Sequence, residues 1–134
     1  MLHHRVTTAD DVINIQPNQY FNTTKDIVIQ SLAYSQIKSW SILNNFKVVA
    51  IILAQEFCKD FYKIGIIICK DIKISELKYI KQVVKEVIEL YNAQYVYSEN
   101  ETHIVKDKFH ELMGFELERD LGIFKKWKYK GLRY

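Results

Sequence analysis

The sequence predicts an α/β fold: a mixed, twisted sheet of six or seven strands with helices on both faces. Three observations carry that expectation. Strand-like runs at Lys38–Leu43, Phe46–Gln55 and Phe61–Cys69 follow one another through short turns, which makes an antiparallel meander. A long amphipathic helix then separates the third run from a further strand at Gln94–Tyr97, and a helical crossover is the connection that parallel neighbours need. Another helix and a closing hairpin follow, so the sheet contains both strand senses.

The elements can be justified in order. His3–Thr7 is extended. Thr8-Ala9-Asp10-Asp11 sets a capping hydroxyl three residues before a carboxylate, and Val12, Ile13 and Ile15 give the helix an apolar face before Pro17 stops it. A second helix is expected from Thr23 or Thr24, with Asp26 in its first turn and Ile27, Val28 and Leu32 turned inward. Asn44-Asn45 joins the first two meander strands because Asn tolerates positive φ. Phe57–Asp60 turns the chain into the third strand, which Gly65 interrupts. That glycine is either a bulge that opens the sheet or room for a bulky neighbour.

In the helix Glu76–Tyr91, Leu77, Ile80, Val84, Val87 and Tyr91 recur at helical spacing, with Lys78, Lys81, Lys85 and Glu89 outside. Ser75 is its expected cap and Asn92 its left-handed end. Ser98-Glu99-Asn100-Glu101 reads as a capping box that opens a helix over Thr102–Met113, closed by Gly114. Phe115–Arg119, a turn at Asp120-Leu121-Gly122, and Ile123–Tyr129 form the last hairpin.

A chain of 134 residues and 16.0 kDa is expected to be one domain over its whole length, able to bury a core without disulfides or metal. With 49% hydrophobic and 26% charged residues it is not a disordered or fibrous class. The uncharged run Ile64–Cys69 is far short of a membrane span, and Met1–Arg5 lacks an apolar signal core. A soluble, intracellular protein is expected. Cys58 and Cys69 cannot build a disulfide framework, and Cys69 reads as a small buried residue rather than a nucleophile.

Only three of the 19 basic residues are arginine, which argues against sequence-specific nucleic-acid binding. Five of the 19 lie in residues 123–134, where none of the 16 acidic residues falls. In a strand there, Lys126, Lys128 and Lys130 share a face with Phe124; the expectation is an edge strand guarded by lysines. His103, Asp107 and His110 are spaced to share one helical face. Asp107 could orient His110 for proton transfer, or the three could form a solvated polar face.

The element order, taken with Phe109-His110-Glu111-Leu112-Met113-Gly114-Phe115, resembles the GNAT N-acetyltransferase superfamily. Its members carry an aromatic residue, Tyr, two variable positions and a hydrophobic residue before Gly-Phe, then a closing hairpin. The opening strand followed by Thr8-Ala9-Asp10-Asp11 is similar as well. The resemblance implies acetyl transfer from acetyl-CoA to an amine of a small molecule or protein. It places His110 where a Tyr protonates the departing thiolate, and Glu56 where some members hold a base that acts through water. It places the backbone of Ile67, Ile68 and Cys69 along a pantetheine arm, and Asn100 among the coenzyme contacts. Lys70, Lys73, Ser75 and Lys78 would surround the pyrophosphate.

The family holds that pyrophosphate with a Gln/Arg-x-x-Gly-x-Gly/Ala turn whose amides open a helix. The connection Lys70–Lys78 has no glycine, so acetyl-CoA binding is expected to be weak or absent. No metal is implied. The stretch Tyr95–Ile104 resembles the strand-to-helix junction of degenerate GNAT-like chains in tailed phages, some of them small internal virion proteins. That implies the alternative to an enzyme: an inactive GNAT scaffold, in a virion or bound to a host protein, in the host cytoplasm or the particle. Neither a membrane nor a nucleic-acid partner is expected.

Overall fold

The computed structural model describes residues 1–17, 25–34 and 36–132. The strands are β1 (Leu2–Val6), β2 (Ile37–Asn44), β3 (Lys47–Cys58), β4 (Phe61–Ile68), β5 (Tyr95–Glu101), β6 (Phe115–Asp120) and β7 (Phe124–Tyr129). They form one sheet in the order β1-β2-β3-β4-β5-β7-β6. The β1 to β4 part is antiparallel, β4 and β5 are parallel, and β5, β7 and β6 are antiparallel again. The helices are α1 (Ala9–Asn14), α2 (Lys25–Ser31), α3 (Ile74–Leu90) and α4 (Ile104–Leu112). No helix among the described residues is long and apolar enough to cross a membrane. The expected helix start at Thr23 or Thr24, and the side chains of Asp26 and Ile27, lie outside the described residues.

Strand alternation sorts the helices onto the two faces. Trp40 and Ile42 of β2 point one way, toward α3: Trp40 Nε1 donates to Tyr91 Oη at 2.8 Å, and His4 Nδ1 meets Tyr79 Oη at 2.8 Å. Ser41, between them, points the other way, and its hydroxyl donates to Asp11 of α1 at 2.8 Å. Asp11 also takes both arms of the Arg5 guanidinium, at 2.6 and 2.7 Å. Burial alone would raise its carboxyl pKa; the bonds from Arg5, Thr8 and Ser41 outweigh that and hold it below the ordinary value.

β3 runs between two covered faces, and Val49, Ala50, Ile51 and Ile52 are all fully buried. α3 seals its face with Ile80, Val83, Val84, Val87 and Ile88, each worth about 2 kcal/mol when buried. The expected turn residues sit in the left-handed region: Asn45 at φ 57°, Asn92 at φ 50° and Gly114 at φ 98°.

Three expectations fail, and one of the two readings of Gly65 is excluded. Ser75 does not cap α3, because Glu76 reaches back from the helix interior and accepts the Lys73 N–H at 2.8 Å, making Lys73 the cap. Ser98-Glu99-Asn100-Glu101 is not a capping box, because β5 continues through Glu101, paired with β7 from Tyr97↔Lys128 to Glu101↔Phe124. α4 is instead capped by His103, whose Nδ1 accepts from the Val105 N–H at 3.1 Å. The lysine-rich β7 is not an edge strand: it lies between β5 and β6, and its Lys126 and Lys128 face Glu118 and Glu116 of β6 at 3.7 and 3.8 Å. Gly65 is not a bulge, since the β3–β4 register is unbroken at Leu53↔Gly65 and shifts only near Glu56 and Cys58.

Candidate active site

The parallel ladder between β4 and β5 is three pairs long, Phe61↔Tyr95, Tyr62↔Val96 and Lys63↔Tyr97. Beyond Lys63 and Tyr97 the strands part, because β5 turns with its other neighbour, β7, while β4 stays with β3. Between them lies a cavity of about 410 Å³, walled by Leu53, Ile66, Ile67, Phe109 and Met113, with Gly65 at the β4 edge. A Cβ added at Gly65 would meet nothing within 4 Å, so the missing side chain leaves open space there.

His110 of α4 and Ser98 of β5 lie on the polar side of this cavity, which Lys63, Glu99, Asn100, Glu101 and Lys106 also line. Tyr62, opposite Val96, stacks on Tyr91, the C-cap of α3, with ring centres 5.4 Å apart; Ser98, two residues beyond Val96, therefore faces the same side of the sheet. There α4 brings His110 over it. His110 Nε2 lies 2.8 Å from Ser98 Oγ, and Nδ1 lies 2.9 Å from the Lys106 carbonyl oxygen. A carbonyl oxygen only accepts, so Nδ1 carries the proton. Nε2 of the neutral ring is then the acceptor, and the Ser98 hydroxyl donates to it.

The ring is stacked on Trp127 at 5.4 Å and 13°, and meets Phe115 edge-on at 5.8 Å. Burial among these aromatic rings pushes the His110 pKa below its ordinary value, although the Lys106 carbonyl and the Asp107 charge pull the other way. The imidazole rests neutral, with its basic nitrogen aimed at a serine.

Asp107 does not orient His110. Its carboxylate accepts from Asn100 Nδ2 at 3.0 Å and pairs with Lys125. His103 is not on their shared face either, having become the helix cap. Asn100 reaches the cavity wall, but its side chain is committed: Nδ2 also donates to the Glu101 carbonyl, and Oδ1 accepts from Trp127 Nε1. Ile67 joins it on the wall.

The other expected site residues lie outside that wall. Glu56, on β3, accepts from the Tyr62 hydroxyl at 3.1 Å; burial, then this bond, pushes the Tyr62 pKa up to about 12. Ile68 is in the core. The N–H groups of Cys69 and Lys70 donate to the carbonyls of Val49 and Gln16. The Cys69 thiol is fully buried, and burial with an Asp71 contact raises its pKa, leaving it a poor nucleophile. Lys73, Ser75 and Lys78 are exposed at the start of α3. There Glu76, 2% exposed, fills the end of the helix: Oε1 takes the Lys73 N–H and Oε2 takes Asn44 Nδ2 at 3.0 Å.

The fit to acetyl-CoA is therefore divided. The apolar cleft suits an acyl chain and its thin linker. The start of α3 does not suit a pyrophosphate, because a carboxylate already holds the cap amide and would repel a second anion. Sequence reasoning missed Ser98, which it spent on a helix cap, and the Lys106 carbonyl, which leaves no mark in a sequence. It also missed Glu76.

The sheet order and the parted β4–β5 pair are those of the GNAT N-acetyltransferase fold. The ribosomal-protein-S18-alanine N-acetyltransferase of Escherichia coli superposes with a TM-score of 0.75 at 12% identity, over 100% of both chains. The Campylobacter jejuni N-acetyltransferase PseH, solved in complex with acetyl coenzyme A, superposes with a TM-score of 0.71 at 10% identity, over 98% of this chain and 99% of that one. The GNAT domain of S. lividans PAT gives a TM-score of 0.73 at 9% identity, over 96% of this chain and 89% of that one. No protein-family model and no curated protein sequence matches the chain.

Proposed function

We propose that the protein is an acyltransferase that passes a small acyl group, acetyl in the simplest case, to an amine. The observation that carries this reading is the β4–β5 cleft with the His110 Nε2–Ser98 Oγ pair on its wall. The apolar walls hold the acyl chain and exclude water. The amine must lose a proton as it attacks, and His110 Nε2, reached through the Ser98 hydroxyl, is the acceptor. This reverses the role implied by the family resemblance: with its one ring proton turned to Lys106, neutral His110 has none to give a thiolate in the cleft.

Acetyl-CoA is the acyl donor, supplying an activated thioester, but the chain grips it by the acyl end. Its dissociation constant is expected above roughly 100 μM, because exposed lysine–phosphate pairs contribute only about 1 kcal/mol each. The E. coli and C. jejuni neighbours are named as N-acetyltransferases, which supports an amine acceptor of small-molecule or protein origin. The test is calorimetric titration with coenzyme A, followed by thiol release from acetyl-CoA across a panel of small amines and N-terminal peptides. Release that needs both an amine and His110 supports the proposal. No release with any amine would leave the other reading, a GNAT-shaped scaffold in a virion or against a host protein.

A further inference from the structure

We propose that Ser98 is a nucleophile, and that the acyl group rests on its Oγ before it reaches water or an amine. The inference rests on the same cleft as the acyltransferase reading but needs no coenzyme. Four features support it. Ser98 Oγ is 2.8 Å from a ring nitrogen that can only accept. The Lys106 carbonyl, at 2.9 Å, fixes that tautomer from the far side of the ring, the part an orienting group plays in a nucleophile–base pair. Trp127 and Phe115 hold the ring plane, so the pair is pre-positioned. Ser98 also lines the cavity, where an acyl chain can lie against Ile66, Ile67 and Met113.

The chemistry balances without a redox partner. As Ser98 Oγ bonds to the carbonyl carbon of an ester or thioester, its proton moves to His110 Nε2. Among the described residues, β4 past Lys63 has no ladder partner on the β5 side, so alternate N–H groups on that edge are donors for the carbonyl oxygen. The carbon–oxygen or carbon–sulfur bond then breaks, and the leaving group departs with the electron pair and takes the proton from Nε2. Water or an amine attacks the acyl-serine, gives its proton to Nε2, and Oγ recovers a proton as it leaves. Lys106 is a positioning residue through its backbone, and Ser98 and His110 are the catalytic pair. The substrates are activated esters and thioesters of short to medium aliphatic acids.

The test uses the intact chain with p-nitrophenyl acetate and, in parallel, a fluorophosphonate probe, each followed by peptide mass spectrometry. The expected result is one acetyl or phosphonyl adduct on the peptide holding Ser98. It should be absent in Ser98→Ala and slowed at least tenfold in His110→Gln, with unchanged circular dichroism. Fluorophosphonate labelling of the unaltered chain tests the nucleophile even if His110→Gln does not fold. No adduct in the unaltered chain, or the same adduct in Ser98→Ala, overturns the proposal. Amine acetylation that persists at full rate in Ser98→Ala would overturn the acyl-serine and the proton relay through Ser98, and leave only direct acyl transfer to the amine standing. Serine labelling without any amine transfer would do the reverse.

Discussion

Gly65 offers the sharpest separation of site from fold. It sits in mid-strand with regular pairing to Leu53, without positive φ, on a stretch otherwise made of isoleucine. Glycine in a strand costs roughly 0.5–1 kcal/mol against alanine through its freedom in the unfolded chain. A folding-only account would have removed it. A Cβ would meet nothing within 4 Å, so a larger residue also meets no steric penalty at its root. What it would enter is the open space at the β4 edge of the cavity, on the sheet face of Leu53 and Ile67.

The series Gly65→Ala, Gly65→Leu and Gly65→Phe therefore has a definite expectation. Stability in urea should stay level or rise by up to about 1 kcal/mol, as unfolded-state entropy falls and the added carbons lie on an apolar wall. Acylation of Ser98 by p-nitrophenyl acetate, and thiol release from acetyl-CoA, should fall with side-chain size. A tenfold loss at Leu corresponds to about 1.4 kcal/mol in the barrier. Two rates and a melt on four proteins suffice. If stability falls with size, the space beside Gly65 is not open. If stability holds while both rates stay flat, the acyl group does not lie in this cleft, and the site assignment is wrong.

Three further outcomes are expected. His110 has its pKa lowered, so the neutral base persists below the ordinary value of 6.5, and the acid limb of the acylation rate should fall below that pH. Asp107 and Lys106 of α4 are the charged groups that act on it, while β5, β6 and β7 present Ser98, Phe115 and Trp127. The same lowered pKa means that His110 stabilises the fold fully above pH 6.5. That share is lost as pH falls toward the folded-state value, and His110→Gln should flatten the slope of stability in that window. Glu76→Ala should cost about 2 kcal/mol in urea, because it leaves the Lys73 N–H and the Asn44 amide without their acceptor. Asp11→Ala should cost about 3 kcal/mol, since Asp11 gathers Arg5, Ser41 and the Thr8 N–H on one buried carboxylate; a change under 0.5 kcal/mol would contradict that account.

The parts of the fold legible in the sequence are those where local chemistry meets no competitor. Asn45, Asn92 and Gly114 take positive φ because the turns and helix ends they mark are set by their own few residues. Thr8 and Asp11 close their capping box for the same reason: Asp11 N donates to Thr8 Oγ1 at 3.3 Å, and Thr8 N donates to Asp11 at 2.9 Å. The α3 stripe is legible because one long helix repeats its signal several times. The parallel pairing of β4 and β5 then follows from the crossover that joins them.

The place of β7 had no such local mark. A hairpin of β6 and β7 can join the sheet by either strand, and here the later strand is inserted beside β5. That insertion also decides the site. With β7 available along its whole edge, residues 98–101 gain four ladder partners as a strand extension, more than a capping box offers. Local capping chemistry therefore lost to a ladder between residues more than twenty positions apart. A trace of the outcome was still present in the alternation: Val96, Ser98 and Asn100 fall on one parity and Tyr97, Glu99 and Glu101 on the other. Carried past Tyr97, that period of two puts Ser98 and Asn100 on the covered face, beneath the helix that bears His110 and Asp107. A cap would have turned Ser98 toward its own backbone. The strand turns it toward a histidine, and the site depends on that difference.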